Sequence, residues 1–346
     1  MAHKKGLTPF FSVIVPVFDG GASFRLCLSS LEQSEFRDWE LIVVDDGSSD
    51  DSALVASATA DQVLTTSGRL GPAAARNLGA KTASGKVLFF LDADCSVRSD
   101  TLGQAAEHFD EEPTLDALFG SYDDSPSAPG LIARFKNLQH HFVHQNSEEK
   151  ASTFWAGCGA IRRQAFADVG GFDSERFDHP SVEDIDLGYR LRAVGKRIKL
   201  AKDVQVKHHK AWTLINVIAT DLFDRGIPWT VLLQEQTKPA RELNLSWGGR
   251  VSVVLGLAGI VALFLCVVDI RIAWLALAFV LGLVAVNFPF YRLLASNGGV
   301  RLFIVGILML WIHQLVCGVA YVGGRLKHRR LRRSMSAISS RPEYRE

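Results

Sequence analysis

The stretch Val87-Leu88-Phe89-Phe90-Leu91-Asp92-Ala93-Asp94-Cys95 decides how the chain reads. It is an apolar run that stops on two carboxylates one residue apart, with Ser84-Gly85-Lys86 before it. So short a run of large apolar side chains predicts a strand buried on both faces of a parallel sheet. The acids then stand at its carboxyl end, the edge at which open α/β sheets bind ligands. Side chains two apart on extended backbone point the same way, so Asp92 and Asp94 are expected to face one cation. Alone, an Asp-x-Asp is more often a solvated turn, and the neighbouring chain has to decide.

Upstream, Phe10 to Phe18 is β-branched and apolar with Pro16 near its end, a first strand, and Gly20-Gly21 opens a helical stretch carrying Leu26, Leu28 and Leu31. Trp39 to Val44 reads as a second strand. It ends on Asp45-Asp46-Gly47-Ser48-Ser49-Asp50, a glycine turn followed by residues suited to capping a helix. A short apolar piece lies near Val63, and Gly71-Pro72 leads into an alanine-rich helix with Arg76 and Asn77. Strand, helix, strand, helix, strand is the signature of a doubly wound sheet.

Downstream, Thr101 to Gln145 reads as helical stretches around a loop from Tyr122 to Pro129. Ser152 to Ile161, with Trp155, Gly157 and Gly159, reads as backbone lying close to a ligand or a second sheet. Glu183, Asp184 and Asp186 crowd the first turn of a helix, where its dipole favours acids. Arg197 to Val206 is one more strand, running into Lys207-His208-His209-Lys210.

Charge and cysteine usage narrow the classes. A net charge of +1 over 346 residues argues against nucleic acid as the main partner. Five scattered cysteines without CxxC spacing indicate neither a disulfide framework nor a zinc site, and fit a reducing compartment. The polar start and the early Pro16 and Asp19 make a cleavable signal peptide an unexpected reading.

Three acidic clusters lie at ends of expected elements: Asp45 with Asp46, Asp92 with Asp94, and Glu183, Asp184 and Asp186. Each alone is also an ordinary cap or turn. Converging on one cleft they would repel one another, so a hard divalent cation, manganese or magnesium, is the natural inference. No GxxxxGK[ST], GxGxxG, GxSxG or HExxH motif is present. What fits is a diphosphate-bearing donor whose leaving group a metal neutralises, with another carboxylate taking a proton from the acceptor.

At this point the residues resemble a known family. Phe11-Ser12-Val13-Ile14-Val15-Pro16-Val17, Val43-Val44-Asp45-Asp46-Gly47-Ser48, Gly71-Pro72 to Asn77, Leu91-Asp92-Ala93-Asp94 and Glu183-Asp184 look like the ordered signature of family 2 glycosyltransferases with the GT-A fold. The resemblance covers about residues 9 to 210 and implies a doubly wound mixed α/β sheet and an inverting transferase. It implies that Asp45 and Asp46 meet the base or ribose over a floor formed by Pro16 and Val17, that Arg76 lies near the diphosphate, and that Asp92 and Asp94 form the metal and diphosphate site, Asp94 being the direct ligand. Asp184 matches the catalytic base, flanked by Glu183. Trp155, Gly157 and Gly159 match the acceptor side. His208 or His209 matches a histidine some relatives place near the metal, and a solvated strand end fits these two as well. Asp19-Gly20-Gly21 replaces the family's usual Asn-Glu after the first strand.

The last third is different. Trp212 to Gln236 is amphipathic and reads as a helix at a membrane interface, or one packed on the catalytic domain. Three apolar runs follow, Val251 to Val268, Ile272 to Phe290 and Leu302 to Val322, each near the roughly 20 residues that cross a bilayer. Three crossings from a cytoplasmic catalytic domain would put the basic stretch from Arg325 to Arg333 outside, against the positive-inside rule, so the count stays at two or three. The tail reads as solvated anchoring charge or as a binder of anionic lipid.

The expected organisation is therefore a tail (1–8), a GT-A catalytic domain (9–210), an amphipathic interface segment (211–248), a transmembrane region (249–323) and a basic tail (324–346). The expected function is metal-dependent, inverting transfer of a sugar from a nucleotide-diphosphate sugar to a lipid or lipid-linked acceptor at a multi-pass membrane location, with the catalytic domain in the cytoplasm. The alternatives are a nucleotide-sugar-binding membrane scaffold without turnover, and a transferase using a soluble acceptor. A transporter is disfavoured, because Asp269, Arg271 and His313 are too few ionisable groups for an ion path.

Overall fold

A computed structural model describes residues 8–236 and 246–339, with side chains as far as 333, and divides the chain into two compact units at Trp212/Thr213. Residues 1–7 of the N-terminal tail, 237–245 of the expected interface segment and 340–346 of the basic tail lie outside the described residues.

The first unit is built on one nine-stranded sheet. In chain order its elements are β1 (Phe11–Val17), α1 (Gly21–Glu32), β2 (Trp39–Asp45), α2 (Ser52–Ser57), β3 (Gln62–Thr65), α3 (Pro72–Thr82), β4 (Val87–Leu91), β5 (Cys95–Val97), α4 (Thr101–Glu111), β6 (Ala117–Tyr122), α5 (Leu131–Gln145), β7 (Lys150–Ala151), β8 (Cys158–Arg162), α6 (Arg163–Asp168), α7 (Glu183–Ala193) and β9 (Ile198–His208). The strand order is β3-β2-β1-β4-β8-β6-β9-β5, with β7 on β9. The first four strands in this order run parallel, and β8 enters antiparallel between β4 and β6, which makes the sheet mixed.

All five residues of β4 are buried, as a strand covered on both faces requires. Phe89 meets Phe11 on one face, while Phe90 meets Phe166 and Phe172 on the other. The β1–β4 ladder ends at Ile14–Phe90, before Pro16, which has no N–H to give. Two interior strands of the sheet depart from the reading of the sequence. Ala117–Tyr122, expected among helices and a loop, is the central strand β6, and the glycine-rich segment after Trp155 becomes β8. At β6 a Cβ on Gly120 would stand 2.1 Å from the Val204 carbonyl, and the β6–β9 register shifts there, so the glycine that resembles a loop signal serves a bulge.

The second unit is helical: α8 (Leu214–Ala219), a π-helical segment (Thr220–Gly226), α9 (Ile227–Glu235), α10 (Trp247–Leu265), a 3₁₀ turn (Ile270–Ile272), α11 (Ala273–Val286) and α12 (Phe288–Ser339), which Gly299 interrupts at φ 61°. Small residues let these helices approach closely. A Cβ on Gly226 would lie 2.5 Å from that of Ala320, and one on Gly324 would lie 2.4 Å from that of Thr230. Two helices, Trp247–Leu265 and Phe288–Arg333, are long and apolar enough to cross a membrane by length and composition, whereas the apolar helix Ile270–Val286 is shorter. The expected amphipathic helix begins at Leu214, not Trp212, and carries the π-helical segment inside it. Trp212 itself is buried, with the Lys210 ammonium 4.3 Å from its ring centroid.

Candidate active site

The carboxyl ends of β1, β2 and β4 form one edge, and the acids there do different jobs. Asp45, at the last position of β2, accepts from the Ser48 N–H. Asp46 is saturated by protein donors: Thr66 Oγ1 and the Leu70 N–H on one oxygen, the Gly71 N–H on the other. Its carboxylate thus fastens the loop that starts α3. Gly71 is needed there, since its φ is 89° and a Cβ would stand 2.4 Å from the Asp178 carbonyl. Asp19, at φ 48°, accepts from the Ser49 N–H and hydroxyl, which stitches the loop after β1 to the loop after β2. Val17 closes the same edge, its carbonyl accepting from the Asp46 N–H.

Asp92 and Asp94 do not share one partner. Arg76, buried on α3, donates from Nη2 to Asp92 Oδ1 at 2.7 Å and from Nη1 to Glu183 Oε1 at 2.9 Å. The guanidinium expected near a diphosphate therefore clamps two carboxylates from elements far apart in sequence. These acids in turn keep its charge strongly favoured against burial. Glu183 is fixed from its other oxygen by the Ser181 N–H.

Asp184, next along at the start of α7, accepts from the Ala156 N–H at 3.2 Å and the Ile185 N–H at 2.8 Å. Burial and the adjacent Glu183 charge push its carboxyl up to about 7, with Arg76 and the two N–H bonds pulling the other way. A carboxyl with that value shuttles between acid and base near neutral pH.

Asp94 lies with His208 instead. Its Oδ2 is 3.4 Å from His208 Nε2, and with Cys95 these residues form the group able to hold a metal ion among the described residues. Although burial works against it, the His208 charge and hydrogen bond, helped by Lys210, hold the Asp94 carboxyl below the usual range. His208 Nδ1 meets Asn137 Oδ1 at 2.7 Å, and its ring stacks on Tyr122 with centroids 4.4 Å apart and planes 9° from parallel. A ring held this way from Nδ1 presents Nε2 as a metal ligand. A separation of 3.4 Å is long for a tight hydrogen bond, and matches the roughly 3 Å between two donors that share one divalent ion. Cys95 is a poor third ligand, because burial raises its thiol far above the ordinary range and a hard cation favours oxygen and nitrogen.

His209 faces elsewhere, its Nε2 2.6 Å from Ser96 Oγ and its Nδ1 2.8 Å from Ser127 Oγ. On the remaining side, Trp155 packs edge-on to Tyr122 and to His144. A Cβ on Gly157 would strike the Trp155 indole, and one on Gly159 the Trp155 carbonyl and the Phe154 ring, so both glycines serve close packing. Asn137 and Tyr122 carry no sequence signal of their own for a site. Asn137 sits in an ordinary amphipathic helix, and only the fold brings it across 71 positions to His208.

Residues 12–170 match the family model described as Glycosyl transferase family 2. An uncharacterized glycosyltransferase of Haemophilus influenzae is 33% identical over 169 residues, 46% of this chain and 67% of the relative. The pre-mycofactocin glycosyltransferase of Mycobacterium tuberculosis is 30% identical over 258 residues, 70% of this chain and 52% of the relative, so the chain spans about half the length of that protein. In fold the chain is similar to a mannosyltransferase of Pyrobaculum calidifontis solved in complex with GDP-Man and Mn2+, with a TM-score of 0.54 at 18% identity over 92% of this chain and 88% of that one. The mixed α/β sheet is thus of the GT-A type.

Proposed function

The chain belongs to glycosyltransferase family 2, and from that premise we propose that it moves a sugar from a nucleoside-diphosphate sugar, with inversion, to a hydroxyl of a membrane-associated lipid or lipid-linked acceptor. One observation carries the reading: Asp184 and Asp94 are set to opposite tasks by their surroundings. Asp184, raised to about 7, takes the proton of the attacking hydroxyl; Asp94, held low, stays anionic.

Asp94 and His208 Nε2 would hold a divalent cation, manganese or magnesium, which when bound neutralises the departing diphosphate. The manganese and GDP-Man bound by the Pyrobaculum enzyme support a cation and a nucleotide-sugar donor. Arg76 acts as a positioning residue: by clamping Asp92 and Glu183 it fixes the charges on either side of the base. Asp92 is left with its second oxygen for the ribose or an ordered water. Pro16 and Val17 form the floor under the nucleotide, Asp45 its wall, and Asp46 the tether of the loop beside it. Trp155, Gly157 and Gly159 border the acceptor side. The two long apolar helices support membrane attachment; in this proposal residues 249–323 lie in the membrane and the catalytic domain, residues 9–210, in the cytoplasm.

The test uses the full chain in lipid nanodiscs with UDP- and GDP-sugars, manganese and a lipid extract, the anomeric configuration of the product being read by NMR. Transfer with inversion that Asp184→Asn removes while donor binding persists is the expected result. Full activity of Asp184→Asn toward a hydroxyl acceptor overturns the assignment of the base.

A further inference from the structure

The helical unit contains a second polar constellation that sugar transfer does not use. Asp221, in the π-helical segment, places Oδ2 3.0 Å from His313 Nδ1, and His313 Nε2 lies 3.5 Å from Cys317 Sγ one turn further along α12. The carboxylate is buried and the thiol half-buried. This is the order of a relay: an acid on Nδ1, a nucleophile on Nε2. The fold is built to bring it together. Gly226 and Gly324 let the π-helical segment and α9 approach α12 closely, and a π-helical stretch inside an α-helix is itself a recurrent mark of a functional position.

We propose that Asp221, His313 and Cys317 form an acyl-accepting site, at which Cys317 takes a long-chain acyl group from an acyl thioester with a polyanionic carrier, as in acyl-coenzyme A. Asp221 accepts the His313 Nδ1–H and so leaves Nε2 as the base. The Cys317 proton passes to Nε2 and the thiolate attacks the thioester carbonyl. The new carbon–sulfur bond forms on Cys317, the bond to the carrier sulfur breaks, and the carrier thiolate leaves with the proton from Nε2. No oxidant or further reactant is needed.

The surroundings select that substrate class. Cys317 shares its face of α12 with Tyr321, four residues on and half-exposed, whose ring offers an acyl chain an apolar surface. It precedes Arg325 by eight residues, about 12 Å along the helix. From there the exposed Arg325, Lys327, Arg329, Arg330, Arg332 and Arg333 offer cations to the phosphates of the carrier. A thioester between an apolar chain and an anionic head has its reactive carbon at that boundary.

Cys266 is the built-in control, since it lies in the same helical unit but its thiol meets the Ala262 carbonyl in place of a base. The inference rests on the membrane reading above. The experiment incubates the full chain, in vesicles of phosphatidylcholine and phosphatidylglycerol, with alkyne-tagged palmitoyl-coenzyme A and reads hydroxylamine-sensitive acylation of each cysteine by mass spectrometry. Cys317 is expected to react about a hundredfold faster than Cys266, the scale of one positioned base. His313→Gln should bring it down to the Cys266 rate, and Cys317→Ser should remove the label. Equal rates at the two cysteines of the unaltered chain overturn the proposal without any variant, as does an unchanged Cys317 rate in a folded His313→Gln chain. Flotation with the vesicles separates the two readings: a chain that floats but labels both cysteines equally overturns the acyl site alone, and a chain that stays behind overturns both.

Discussion

The two units each contain a carboxylate beside a histidine, and the ring is turned opposite ways. In the GT-A unit His208 commits Nδ1 to Asn137 and turns Nε2 toward Asp94 at 3.4 Å. In the helical unit His313 commits Nδ1 to Asp221 at 3.0 Å and turns Nε2 toward a thiol. The first arrangement leaves an acid and an imidazole nitrogen converging on one position, which suits a cation; the second uses the acid to orient a base. Identical residue types thus acquire different chemistry from which nitrogen the neighbours occupy.

The comparison breaks most sharply at Asp94. Asp94→Ala removes the anion from the first pair and should cost about a thousandfold or more in transfer, the several kcal/mol that a catalytic cation supplies. Isothermal titration should show manganese-dependent nucleotide binding lost with it. Retained manganese dependence in that variant would show that the pair with His208 is merely structural.

Asp184 comes next. Asp184→Asn should lower turnover by about 10²- to 10³-fold with donor binding intact, the usual share of a positioned base. In the unaltered enzyme the rate with a hydroxyl acceptor should fall as pH drops through about 7, because protonation removes the base. The stability consequence has the opposite sense. The native carboxyl holds its proton more tightly than the unfolded one, so its contribution is full below the ordinary value of 3.8 and is lost as pH rises through about 7. Asp184→Asn should therefore raise the melting temperature most at pH 8, less at pH 5 and hardly at all at pH 3, a pattern thermal denaturation reads directly.

A smaller effect is expected where the first pair is held from behind. Asn137 fixes the ring of His208, and its own Nδ2 is buried without a partner among the described residues. Asn137→Leu should weaken manganese binding about 10- to 100-fold, as loss of a ligand's outer partner does. Measured by titration without donor, that loss separates orientation of the ring from any effect on turnover.

These pairs also mark how far the sequence could be read. Strand β4 was legible because a strand that leaves the core at a ligand-binding edge has to change from wholly apolar to acidic within a residue or two, and the ordered motifs around it carried the fold class. Strand β6 was hidden because Gly120 and Ser121 resemble a loop, whereas the glycine accommodates the close approach of Val204. Arg76 is legible in the sequence but its partners are not, since Asp92 and Glu183 lie 16 and 107 positions away and only the closed sheet edge joins them. Asp221 is hidden within an amphipathic stretch whose apolar residues dominate the pattern. His208 and His209 are adjacent in sequence, and only the fold separates them, turning one ring to Asn137 and the other to Ser96.

That last ambiguity supplies the mildest test. His209 follows His208 directly, yet its two ring nitrogens face the hydroxyls of Ser96 and Ser127, and burial lowers its proton affinity below the ordinary imidazole range. Its backbone N–H donates to the Asp94 carbonyl, a contact any residue but proline can make there. His209→Gln keeps a side chain able to bond a hydroxyl, so it should change manganese affinity by less than about threefold, within the cost of one exchanged neutral hydrogen bond. His208→Gln, measured beside it, should lose binding on the scale of Asp94→Ala. If the two variants behave in the reverse order, the ring stacked on Tyr122 is a packing element and the cation belongs to its neighbour.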